Sequence, residues 1–137
     1  MAREAALQVL YAADVASGIT PGSVEAAYEE VLKEFDLPAR ARERAQEIVR
    51  GVAKNLEAID ARIAAVSTRW KVHRLAAVDR NVLRIGAWEL LCEEATPAEV
   101  VIDEAVEIAR RFSAEESPAF VNGVLDALVR ERARLAT

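Results

Sequence analysis

The chain of 137 residues has a single cysteine, Cys92, and a single histidine, His73. One thiol forms no intrachain disulfide. One thiol with one imidazole builds no zinc cluster, histidine triad or HExxH helix. Aromatic residues are only 5% of the sequence, and β-branched residues never gather into alternating runs, so no strand is predicted. Long apolar runs are missing too. The most apolar stretch, Val82–Cys92, is broken by Arg84 and Glu89, which excludes a bilayer-spanning helix. The N-terminus carries Arg3 and Glu4 and does not resemble a signal peptide. Nor is there an excess of positive charge. A formal net charge of −5 argues against coating nucleic acid by bulk attraction, and it suits a basic protein partner. These absences predict a cytoplasmic protein without metal or organic cofactor.

What is present is helical periodicity. Apolar residues make up 53% of the chain, much of it alanine, and they recur at 3.6-residue spacing. The reading is all-α, with about seven helices in two small packed bundles, roughly 1–54 and 55–137. A first helix runs from Ala2 to Ser17, with Ala6, Val9, Leu10 and Ala13 inward and Gly18 ending it. Ser23 is expected to cap a second. A third begins near Pro38, and a fourth follows Asn55 and stops by Ser67-Thr68. The fifth spans Leu75–Glu93, the sixth starts at Thr96-Pro97, and the seventh runs from Pro118 to near Arg132. All four prolines fall at these boundaries.

The stretch Ile102–Asp126 organises the rest. It holds two amphipathic helices with an acidic loop between them. Ser117 is read as an N-cap and Pro118 as the first helical residue. Phe112 and Phe120 flank the loop Ser113–Ser117, at a corner that serves either core packing or the stacking of an unpaired base. Asp79 and Glu89 lie toward the apolar side of the fifth helix. A carboxylate there is either paired internally, with Arg84 or another arginine, or faces a basic protein. The connector Arg69–Arg74 joins cations to Trp70, whose indole is expected to anchor it while the charges remain open to phosphate. Arg110 and Arg111 read as a solvated pair, held by a contact such as Glu107 with Arg111. Gly123 reads as a residue of close helix contact, Asn122 as bonding a neighbouring backbone, and Cys92 as a small buried residue. No nucleophile–base pair or phosphate-cradling glycine loop can be assembled.

These residues carry a resemblance. VIDEAVEIARRF followed by FVNGVLD from Phe120, and VDRNVLRIGAWELL from Val78 with Trp70 and Arg74 upstream, resemble the C-terminal signature of the NusB family. REAALQVLYAAD from Arg3 and GVAKNLEAID from Gly51 resemble its opening and middle. The resemblance covers nearly the whole chain in the expected order. It implies a non-enzymatic transcription antitermination factor that binds boxA RNA with the ribosomal protein NusE and joins RNA polymerase during ribosomal RNA synthesis. It implies RNA contacts at Arg3, Tyr11, Phe112, Glu116 and Phe120, with a NusE-facing surface that includes Asp79.

Family members often begin with an arginine-rich segment, and little of it precedes or follows Arg3. Either RNA affinity depends on NusE, or Arg69, Lys71, Arg74 and Arg110 compensate, or the start codon lies upstream. Glu116 either accepts hydrogen bonds from base amino groups or repels phosphate. Two other readings stay open. An accessory module of a ribosomal RNA cytosine methyltransferase should continue into a Rossmann-type domain, which these residues lack. A structural homodimer would have no RNA role.

Overall fold

Turn chemistry divides this chain before packing does. In the computed structural model, which describes residues 1–67, 74–93 and 95–136 (backbone only over 133–136), α1 is Ala2–Ala16 and α2 is Pro21–Leu32. Between them Gly18 adopts φ 92°, the left-handed region that glycine enters without a Cβ penalty, and its N–H donates to Ala13 O at 3.0 Å. The cap of α2 is Thr20 rather than the expected Ser23. The Thr20 hydroxyl accepts from Ser23 N and the Ser23 hydroxyl from Thr20 N, with Pro21 first in the helix. α3 is Ala39–Lys54, α4 Leu56–Val66, α5 Ala77–Trp88, α6 Ala98–Phe112 and α7 Ser117–Ala136. Among the described residues there is no strand, as expected for an all-α chain.

The chain forms two units, Met1–Leu56 and Glu57–Thr137. In the first, α1 packs on α2 and α3. Ala6, Val9, Leu10 and Ala13 are buried, with Ala45, Ile48, Val49 and Val52 of α3. Tyr28, Val31 and Phe35 pack against a cluster of Ala5, Leu32, Leu37 and Ala45. Arg50 Nε meets Glu25 Oε1 at 2.5 Å, and this bond holds the Glu25 carboxyl below its ordinary range.

In the second unit α5 packs on α6 and α7, which pack on each other. Val82, Leu83 and Ile85 of α5, Val101, Ala105 and Ile108 of α6, and Val121, Leu125 and Leu128 of α7 are all buried. Gly86 permits the close approach of α7, because a Cβ there would lie 2.8 Å from Leu125 Cδ1. α4 is tied in by ions. Arg84 donates to both oxygens of Asp60 at 2.9 and 2.8 Å and to Asn81 Oδ1 at 3.0 Å.

The fifth helix does not run on as a plain α-helix to Glu93. Glu89–Glu93 widens into a π turn, and Arg132 Nη1 donates to Leu90 O at 2.5 Å. Glu89 is wholly enclosed, so it faces no outside protein. Cys92 is exposed, against the expectation of burial, because the π turn rotates it outward. Partial desolvation still pushes its thiol up. Gly123 is also exposed, with nothing near its missing Cβ, so it serves no internal helix contact.

Candidate functional site

The α6–α7 loop is where three helix ends meet. α6 ends at Phe112, and the Ser113 N–H still donates to Ala109 O at 2.9 Å. The chain turns through Ser117 N–H to Ala114 O at 3.0 Å, and Glu116 O accepts the first α7 bond, from Phe120 N–H at 3.3 Å. Glu116 therefore occupies the capping position expected of Ser117, and Pro118 is the second helical residue. A carboxylate at a helix N-terminus complements the local positive field.

Ser117 is drawn inward instead and is almost fully buried. Its hydroxyl donates to Asp79 Oδ2 at 3.0 Å, while the Ser113 hydroxyl donates to Asp79 Oδ1. The two serine oxygens lie 2.9 Å apart. Asp79, in the first turn of α5, is thus held by two hydroxyls, not by Arg84 or another arginine as an internal pairing would require. Arg84 is engaged by Asp60.

Beside this clasp lies a cleft of about 560 Å³, lined by Arg74, Leu75, Ala76, Asp79, Glu116, Ser117, Ala119 and Phe120. Phe120 is half-buried, so one part of its ring packs and the rest faces the cleft. Arg74 and Glu116 are exposed at its rim. Across Ala119 a second cleft, about 580 Å³, is bordered by Val106, Arg110, Glu115 and Asn122. Arg110 there is bonded to Glu107 at 2.6 Å, so Glu107 pairs with Arg110.

Phe112 is 41% exposed at the end of α6, too open for a core residue, yet it does not line the first cleft. The loop thus brings together Arg74, Asp79, Glu116 and Phe120, with Phe112 at the loop's other end. Arg3 and Tyr11 stand in the first unit on α1, roughly 12 Å apart along its axis at 1.5 Å per residue. Arg3 is partly exposed, and Tyr11 is 40% exposed. Arg69, Trp70, Lys71 and His73 lie outside the described residues. Sequence reasoning missed the role of Ser113. Its spacing of four from Ser117 was visible, but the carboxylate that joins them is 34 positions away.

Fold and cleft define a class: a helical binding protein with a surface cleft that mixes an arginine, an open aromatic face and hydrogen-bonding groups. Among the described residues, no group of His, Cys, Asp or Glu is arranged to hold a metal ion. The sequence profile of the NusB family matches residues 1–130. The transcription antitermination protein NusB of Sorangium cellulosum is 45% identical over 133 residues, covering 97% of this chain and 92% of that protein. The crystal structure of Thermotoga maritima NusB superposes with a TM-score of 0.85 at 40% identity, over 95% of this chain and 89% of that one. A chain from a crystal structure of the antitermination factors NusB and NusE in complex with dsRNA gives a TM-score of 0.83 at 31% identity, over 95% and 94%. The chain belongs to the NusB family. Its function is transcription antitermination, a role without catalysis.

Proposed function

We propose that the chain binds boxA RNA in its single-stranded form, together with NusE, and so keeps RNA polymerase elongating through ribosomal RNA operons. The single observation that carries this reading is the cleft in which Phe120 offers ring surface beside Arg74, on the loop that exposes Phe112. An unpaired base stacks on Phe120 while Arg74 takes a phosphate, and Phe112 supplies a second platform. Glu116 and Asn122 offer polar groups to base edges. Arg3 and Tyr11, on α1 of the first unit, are RNA contacts that the family resemblance implies. The likeness to a chain solved with NusE and RNA supports the choice of partners, and the net charge of −5 suits a basic ribosomal protein.

Labelled boxA RNA, titrated with and without NusE beside a scrambled RNA, tests this. F120A should weaken binding by about 1–3 kcal/mol, the usual worth of one stacked base, while unfolding changes less. F112A should act in the same direction with a smaller loss of stability, because its ring is the more open. If RNA binding by both variants merely tracks the folded fraction, the rings are packing residues and the reading fails.

A further inference from the structure

We propose that Asp79 is the positioning residue of the RNA-reading loop, acting through Ser113 and Ser117. The inference rests on the RNA reading above and assigns Asp79 a task separate from contact with a basic partner. Asp79 stands in the first turn of α5, Ser113 caps α6, and Ser117 opens α7. One carboxylate therefore pins both ends of the loop to a third helix. Phe112 directly precedes one pinned residue, and Phe120 lies less than a turn after the other.

Proton counting says what holds the clasp. A carboxylate only accepts, and each serine hydroxyl brings one proton. Both protons go to Asp79, in charge-assisted bonds, and the contact between the two serine oxygens has none of its own. An asparagine at this position would bring the missing proton. Its amide would donate to Ser113, Ser113 to Ser117, and Ser117 to the amide oxygen, so each contact in the ring would carry one hydrogen. D79N thus removes the charge and keeps the clasp, whereas D79A removes both.

The test uses the full chain as D79N, D79A, S113A and F120A. Each is titrated with the RNA used above, melted, and followed by amide hydrogen exchange over residues 113–117. D79N should bind within about twofold of the parent, and D79A about tenfold more weakly with faster loop exchange, the scale of a lost bond to a charged group. S113A, which opens one arm of the clasp, should fall between them. A folded D79A that binds RNA like the parent while F120A does not would overturn the proposal. So would a D79N as weak as D79A, because charge and not position would then be what RNA binding needs. Should D79A fail to fold, S113A decides: parental affinity with unchanged loop exchange overturns the clasp. An F120A of parental affinity overturns the RNA reading itself, and loop exchange in D79A then still reports whether the carboxylate holds the loop.

Discussion

At the scale of single residues, two glycines in helix interiors show how neighbours decide what a sequence position means. Gly86 faces Leu125, whose methyls lie 2.8 and 3.0 Å from where a Cβ would stand, and Leu125 is fully buried with little room to turn. G86A should therefore destabilise the protein by about 1–3 kcal/mol in urea unfolding, although alanine is the better helix former. Gly123 faces open space, so G123A should raise stability by up to about 1 kcal/mol in the same measurement. The sequence pattern assigns Gly123 a close helix contact, yet nothing packs there. Helical phase locates a face; it does not say whether another helix covers it. Phe112 teaches the same point. Its phase puts it on the apolar arc of α6, but the helix ends there, and the ring passes beyond its neighbours into solvent.

At the scale of elements, ions connect what apolar stripes only bring close. Arg84 is nearly enclosed on α5 and makes a two-pronged pair with the partly exposed Asp60 of α4, while Asn81 takes a further N–H. Removing one partner leaves the other desolvated without compensation. R84A should cost about 3 kcal/mol in chemical denaturation, and the double variant R84M/D60L appreciably less, because no buried charge then remains. Six of the seven helix starts agree with sequence reasoning to within two residues, because prolines and caps act through local chemistry. The exception of substance is the end of α5. Nothing in ELLCE announces a π turn, which forms where Arg132, 42 positions on, takes the Leu90 carbonyl.

At the scale of the molecule, an acidic chain binding RNA must do so with few phosphate contacts. Arg74 is the one cation of the loop cleft among the described residues, and Arg3 is the other expected on α1. For the lone protein, a plot of log affinity against log salt should have a slope of only about −1 to −2, at roughly 0.7 per phosphate on a single strand. A much steeper slope in filter binding or fluorescence titration would point to a broader cationic face. The amino-acid sequence by itself determined the all-helical class, the turns, most of the buried stripes and the membership in a family. Each of these depends on residues within a few positions of one another or on a motif read in order. Only the tertiary structure decided that Asp79 joins Ser113 and Ser117, that Phe120 shares a cleft with Arg74, and that Glu89 is enclosed while Cys92, expected to be buried, is exposed. Those outcomes depend on groups tens of residues apart, and side-chain partners at such distances are set by packing rather than by periodicity.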